Sequence, residues 1–177
     1  PPNKDALFDI GMSGPISGFI IASIVTAVGL AMSVPAPPTE EATSLPVPLI
    51  MIFIGELLRI NGMVPVRPQG KVLYLHPVGF AGWVGFVLTM LNLLPAAMLD
   101  GGHIARSVAG DRARVVLTAL SVGLLLISDF WLMALFVLFL AMQRHPGPLD
   151  DVSSLSTWRK IIAAVLIVIF VLSFPIF

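Results

Sequence analysis

The longest stretch of this chain without a formal charge is what most constrains its fold. Residues 10–39 contain no Asp, Glu, Lys or Arg, and their apolar part, 16–34, is long enough as a helix to cross a hydrocarbon core of about 30 Å. Over the whole chain 57% of the side chains are hydrophobic and 11% are charged, whereas a soluble domain carries roughly 25% charged residues. Because so little polar surface cannot cover a globule in water, we expect an integral membrane protein in contact with the lipid bilayer.

Charge and cysteine content exclude several classes of protein. Ten basic and ten acidic side chains give a net charge of zero, without the positive excess that is typical of nucleic-acid binders. The absence of cysteine excludes a disulfide framework, a thiol nucleophile and any zinc site built on Cys. We therefore expect no nucleic-acid partner.

Apolar segments and their polar separators predict the architecture. The predicted transmembrane segments are, roughly, residues 14–34, 78–99, 115–143 and 160–177. The third is one long helix or two short ones that meet at Asp129, since an unpaired carboxylate at the middle of a membrane is costly. Residues 45–58 suit an interfacial or re-entrant segment, and residues 72–75 suit a short strand. We expect a single all-α transmembrane domain over 1–177, a polytopic bundle of about four to five transmembrane helices with one broken at Pro95.

The segment 92–103 holds the groups best suited to chemistry. Pro95 cannot donate a backbone hydrogen bond and therefore kinks or breaks its helix, which membranes tolerate where the freed groups face protein or water. Asp100 follows, and Gly101 and Gly102 permit a close-packed backbone that aims its carboxylate inward. An ionisable group at the end of a broken helix indicates a functional site. The alternative is that Asp100 ends a span at the water interface and caps the next helix.

Two further polar side chains flank this carboxylate in the sequence. Asn92 offers a carboxamide to freed carbonyl groups or to an extended peptide, and His103 can share a helical face with Asp100. His103 is a candidate metal ligand, although a histidine in a loop is more commonly just solvated. No His-Glu-x-x-His motif is present, so a zinc site in these residues lacks its imidazole pair and its general base.

The first apolar segment opens with a stripe of small residues. Gly11, Gly14, Gly18 and Ala22 recur at steps of three and four, which gives a smooth face for close packing of another helix. We expect Pro15 in the first turn of this helix, where its missing N–H is tolerated. Packing alone accounts for Gly18 and Ala22, whereas Gly14 suits either packing or approach to an active site.

Taken together, these motifs resemble the site-2 protease family of intramembrane zinc metalloproteases. The similarity covers residues 1 to about 146 and rests on Asn92-x-x-Pro95-x-x-x-Leu99-Asp100-Gly101-Gly102, His76-Pro77, Ala81-Gly82-Trp83 and Gly14-Pro15-x-x-Gly18. The resemblance implies a membrane enzyme that carries out regulated intramembrane proteolysis. Such an enzyme uses one zinc ion to cut transmembrane helices of membrane-bound substrates after they unwind.

The resemblance also implies roles for individual residues. Asp100 would be a zinc ligand, and Asn92 would contact the unwound substrate backbone or the oxyanion. Pro95 would keep its helix open, while Gly14 and Pro15 would let the first segment pack against the family's zinc-binding helix. The Leu-Asp-Gly end would lie near the cytosolic face of a multi-pass membrane protein.

The family's helix with two zinc histidines and the catalytic glutamate is absent from these 177 residues. The chain also begins Pro1-Pro2-Asn3 without a methionine. We therefore expect the C-terminal part of a longer protease, whose missing N-terminal segment completes the zinc site, and we expect these residues alone to be inactive.

Other functions are open on the sequence alone. Gly11-Met-Ser13-Gly14 matches the Gly-x-Ser-Gly motif of rhomboid-type serine proteases, with Ser13 as the nucleophile. Transporters also build sites at a broken helix in the middle of the membrane, so a non-catalytic interaction or transport module is a second alternative. An aspartyl protease is disfavoured, because Val108-Ala-Gly-Asp111 lacks the first glycine of Gly-x-Gly-Asp.

Overall fold

A computed structural model describes residues 1–39, 44–64, 70–96, 98–127, 131–142 and 154–176. Most of these residues are helical, as predicted. The helices are α1 (Lys4–Ala31), α2 (Leu49–Ile60), α3 (Pro77–Leu93), α4 (Asp100–Leu126), α5 (Trp131–Ala141) and α6 (Thr157–Ser173). The strands are β1 (Val34–Ala36), β2 (Val47–Pro48), β3 (Val72–Tyr74) and β4 (Pro175–Ile176). These residues also form two small antiparallel sheets, β1 with β3 and β2 with β4, and β3 lies within the short strand predicted at 72–75.

Helix α1 begins well before the predicted first segment. The Asn3 side chain accepts a hydrogen bond of 2.8 Å from the backbone N–H of Ala6, which caps the helix at Lys4. The prediction that Pro15 lies in the first turn is therefore wrong, because Pro15 lies inside the helix and cannot donate to the carbonyl of Gly11. Within the described residues, α1 is the one helix long and apolar enough to cross a membrane.

The other predicted segments coincide with shorter helices. Helices α3 and α5 are apolar but have 17 and 11 residues, fewer than the roughly 20 that a span needs. The segment predicted at 115–143 falls on the end of α4 and on α5, and Asp129 lies outside the described residues. The predicted number of spans stays a prediction.

The chain forms two compact units, of which one comprises Ser17–Met90 and Val171–Phe177. Its core contains Phe86, which is fully buried and makes an edge-to-face contact with Phe19 at 5.7 Å. Close approach of α1 and α3 requires glycine there, since a Cβ on Gly29 would overlap the backbone of Gly79. The two small sheets belong to this unit.

The other unit comprises Pro1–Ile16 and Leu91–Phe170. Its buried side chains include Leu7 and Phe8 at the start of α1 and Val137 on α5, and α4 packs against α5. Helix α4 is interrupted at Gly110, whose φ of 83° lies in the left-handed region that favours glycine. All candidate site residues predicted from the sequence lie in this unit.

Candidate metal-binding and substrate site

The candidate site is built around the turn between α3 and α4. Helix α3 ends at Leu93, two residues before Pro95. Short local hydrogen bonds then hold the turn, from the Ala96 N–H to the Leu94 carbonyl (2.7 Å) and from the Leu99 N–H to the Ala96 carbonyl (3.0 Å). Proline cannot continue the hydrogen-bond ladder of α3, so the backbone leaves the helix here and a new helix begins at residue 100.

Asp100 is the first residue of α4 and its carboxylate is half-buried. The positive end of a helix dipole favours a negative charge at this position. Burial acts in the opposite direction and raises the pKa of the carboxyl, which lies just beyond the predicted segment 78–99. In the described part of the chain no group donates a hydrogen bond to this carboxylate and no cation pairs with it. A carboxylate in such a position is a suitable oxygen ligand for a metal ion.

Gly101 and Gly102 directly follow Asp100 in the chain and are both buried. A Cβ on Gly101 would overlap the carbonyl oxygens of Leu93 and Leu94. These are backbone atoms that cannot rotate away, so residue 101 must lack a side chain for α4 to start against the end of α3. Gly101 therefore fixes the position of the first residue of α4, Asp100, relative to the end of α3.

Two glycines of α1 lie against the same turn. A Cβ on Gly14 would be 2.7 Å from Oδ2 of Asp100, and a Cβ on Gly11 would be 2.8 Å from the Asp100 carbonyl oxygen. Both distances are too short for a real side chain. Gly14 thus leaves the space that the Asp100 carboxylate occupies, and Gly11 leaves space for the backbone of the turn.

His103 lies one turn along α4 and is half-buried. Burial lowers the pKa of its imidazole, and the positive charges of Arg114 and Arg106 lower it further. The neutral imidazole is the form that binds metals. Even so, no group of three His, Asp or Glu side chains in the described residues could hold a metal ion. Among the described residues, Asp100 is thus a candidate metal ligand that no group of three donors completes.

The other candidate residues lie elsewhere in the same unit. Asn92 is exposed on the last turn of α3 and makes no hydrogen bond to Asp100 in the part of the chain described. Pro95 is half-buried in the turn that follows. Pro15 is buried within α1. The Ser13 hydroxyl donates to the Ile10 carbonyl of its own helix at 2.9 Å.

His76 of the family motif and Asp111 of the disfavoured aspartyl-protease motif also have structural partners. His76 accepts the backbone N–H of Val78 at Nδ1 (3.2 Å), which is a capping role at the start of α3. Asp111 is exposed and pairs with Arg114 at 3.0 Å and Arg106 at 3.4 Å. These contacts indicate structural roles for His76 and Asp111.

Sequence reasoning missed a cluster of charges near the start of α1. Arg159, at the start of α6, donates two hydrogen bonds to Asp9 (2.8 and 2.6 Å) and one to Asp5 (2.7 Å). The Ser156 hydroxyl and backbone N–H also donate to Asp5. The spacing of Asp5 and Asp9 by four residues places them on one helical face, but nothing in the sequence indicates a partner 150 residues away.

Comparison with known proteins identifies the family. A sequence model described as Peptidase family M50 matches residues 1–139. The chain belongs to peptidase family M50. This is the site-2 protease family, and the prediction made from the motifs is confirmed. No solved structure matches the chain.

Relatives of this M50 chain include proteins named "Probable zinc metalloprotease EGY1, chloroplastic". The Arabidopsis thaliana protein is 28% identical over 97% of this chain and 32% of its own length. The protein from Oryza sativa subsp. japonica is 31% identical over 96% of this chain and 30% of its own length. The chain thus spans about a third of the length of these curated relatives. A DDT domain-containing protein PTM of Arabidopsis thaliana is 30% identical over 64% of this chain and 7% of its own length.

Proposed function

We propose that this chain is part of an intramembrane zinc metalloprotease that cleaves transmembrane helices of membrane-bound substrates in regulated intramembrane proteolysis. Asp100 is the zinc ligand that the chain supplies. A segment outside the chain supplies the remaining ligands and the general base. The relatives named as zinc metalloproteases support this function.

The observation that carries the proposal is the space around the Asp100 carboxylate. Gly14 of α1 lines that space, and Gly11 lies against the backbone carbonyl of Asp100, so a methyl group at either position would overlap this residue. A carboxylate that merely capped α4 at a water interface would not need glycine opposite it. A carboxylate that must reach a metal ion from a crowded turn does need it, because metal–ligand distances vary by only about 0.2 Å.

When bound, zinc polarises a peptide carbonyl and activates water for hydrolysis. The residues of this chain then have two tasks. Asp100 holds the metal at the start of α4, where Gly101 fixes its position. Asn92, exposed at the end of α3, binds the unwound substrate backbone through its carboxamide, and Pro95 keeps the two groups on separate helices.

The same proposal assigns a location to the site. The chain lies in the membrane as a multi-pass protein, with the Leu99-Asp100-Gly101 turn near the cytosolic face. The chain has no cysteine, so a Cys introduced in this chain at exposed Arg112 can be labelled alone, provided that native cysteines elsewhere in the full-length protein are replaced. A membrane-impermeant maleimide applied to intact cells should label Arg112→Cys only after the cells have been permeabilised.

Cleavage of a synthetic transmembrane peptide by the full-length protein in liposomes tests the function. We expect cleavage to stop on treatment with a zinc chelator, to return on addition of zinc, and to be absent in Asp100→Asn. Cleavage that persists in the chelator would contradict a zinc mechanism. Wild-type turnover by Asp100→Asn would contradict the ligand assignment.

A non-catalytic membrane module is the second candidate. A segment similar to 64% of this chain also occurs within a DDT domain-containing protein, PTM of Arabidopsis thaliana, which favours it. This candidate predicts that the full-length protein binds transmembrane peptides without zinc and without cutting them. Equal peptide binding by zinc-free wild type and by Asp100→Asn, with no product in either, would support the module over the protease.

A further inference from the structure

A cavity of about 330 Å³ opens beside the turn that carries Asp100. All of its lining residues are apolar, and none is a charged or hydrogen-bonding side chain. The near wall comes from the turn and from α4 (residues 93–117), and the far wall comes from α6 (residues 163–170). The lining residues include Pro95, Gly101, Ala105, Ala163, Ile167 and Phe170.

The position of the cavity ties it to the candidate site. Pro95 and Gly101 both line it, and Gly101 directly follows Asp100 in the chain. A polypeptide bound along the α3–α4 turn therefore has the carboxylate and the mouth of an apolar cavity within the same few residues. This proximity favours a bound peptide as the occupant over a ligand unrelated to the site.

The size and the apolar lining of the cavity further restrict which ligand it can bind. The volume is at the low end of ligand pockets, about 300–1,000 Å³, and a helix about 10–12 Å across does not fit into it. An apolar wall gives no compensation for a buried polar group, which would cost several kcal/mol. The cavity thus suits one large aliphatic or aromatic side chain that has been freed from its helix.

We propose that this cavity is a specificity subsite that receives a large apolar side chain of the unwound substrate close to the cleaved bond. This inference rests on the proposed function and deepens it. The far wall belongs to α6, which lies beyond the residues 1–139 that match the family. Side-chain size on α6 therefore sets which substrates this particular protein accepts.

The charged cluster at the start of α6 holds this wall in place. Arg159 is only 14% exposed and joins Asp5 and Asp9 of α1 to the first turn of α6. Ala163 lies one turn further along the same helix and lines the cavity. Arg159 is thus a positioning residue for the subsite.

Helix α6 offers a matched pair of alanines for the test. Ala163 lines the cavity, whereas its neighbour Ala164 is exposed and does not. The probes are synthetic transmembrane peptides with Ala, Leu or Phe in turn beside the cleavage site. We expect Ala163→Phe in the full-length protein to reduce cleavage of the Leu and Phe peptides about tenfold or more, as for other hydrophobic pockets, and to spare the Ala peptide. Ala164→Phe should leave all three rates unchanged.

Widening the cavity should shift the substrate preference toward larger side chains, at little cost in stability. Ile167 lines the cavity but is 65% exposed, so Ile167→Ala removes part of the wall without emptying a core. We expect it to raise the rate of the Phe peptide relative to the Leu peptide. An unchanged order of the three peptides in both Ala163→Phe and Ile167→Ala would overturn the subsite.

Photo-crosslinking separates failure of the subsite from failure of the protease function. In the uncleaving Asp100→Asn protein, a peptide with a photoactivatable leucine should label residues 163–170 of α6, and Ala163→Phe should reduce that label. Absence of peptide label on α6, or labelling there by a photoactivatable phospholipid alone, would overturn the subsite. Label on α6 combined with no zinc-dependent cleavage by wild type would contradict the protease function instead.

Discussion

We expect Gly14→Ala to move the Asp100 carboxylate without disturbing the rest of the fold. The new methyl carbon would lie 2.7 Å from Oδ2 of Asp100, whereas ordinary contacts begin near 3.4 Å, so the oxygen must retreat by about 0.7 Å. That oxygen ends a side chain that can rotate, and alanine is favoured over glycine inside a helix by about 1 kcal/mol. The protein should therefore remain folded. A shift of 0.7 Å nevertheless exceeds the tolerance of about 0.2 Å for a metal ligand.

The assay compares zinc content, peptide cleavage and thermal unfolding of the full-length protein. Misplacement by about 1 Å costs roughly 100-fold in rate, so we expect Gly14→Ala to lose zinc and to cleave on the order of 100 times more slowly at an unchanged or higher unfolding temperature. Gly123→Ala is the matched control, since a Cβ at that helical position meets no atom within 4 Å. Gly14→Ala with wild-type zinc and wild-type rate would refute the reasoning.

Three further predictions concern neighbouring positions. Gly101→Ala should destabilise the protein by at least about 1–3 kcal/mol, because its methyl group overlaps backbone oxygens of Leu93 and Leu94; chemical denaturation measures this. Arg159→Ala should lower the unfolding temperature and weaken the preference for large apolar side chains. Arg159→Lys should have a smaller but measurable effect, since lysine keeps the positive charge but cannot form the two-pronged contact with Asp9. Ser13→Ala should leave cleavage unchanged, because the Ser13 hydroxyl is bonded to its own helix.

Each of these predictions has a result that contradicts it. Gly101→Ala as stable as Gly123→Ala would mean that the turn can relax around a methyl group. For Arg159 the comparison is Lys160→Ala, a change at an exposed residue. Equal effects of the two changes would show that the contacts of Arg159 with Asp5 and Asp9 do not position α6. Complete loss of cleavage in Ser13→Ala at normal zinc content would revive the serine alternative.

The local part of the site follows from the sequence. Proline chemistry predicts that α3 cannot continue through residue 95, and the glycine after Asp100 predicts a crowded turn. The spacing of Asn92, Pro95 and Asp100 then indicates the family, because close packing of helices alone does not require these three residues together. These inferences need only neighbours in the chain.

The long-range part does not follow from the sequence. A stripe of small residues indicates that α1 is approached closely, but not that Asp100 is what approaches Gly14. The pairing of Arg159 with Asp9 joins residues 150 positions apart, and any of several acidic side chains could have been its partner. Similarly, the cap supplied by Asn3 starts α1 at Lys4 and places Pro15 inside the helix, which hydropathy alone cannot reveal.

Zinc content of the full-length protein is the most direct test of the central claim that Asp100 binds the metal. Elemental mass spectrometry of the wild type, Asp100→Asn and Asp111→Asn provides it, and Asp111 serves as the control because it is an exposed aspartate of the same helix, paired with Arg114. We expect one zinc per chain in the wild type and in Asp111→Asn, and a large loss in Asp100→Asn. Full zinc content in Asp100→Asn would contradict the assignment.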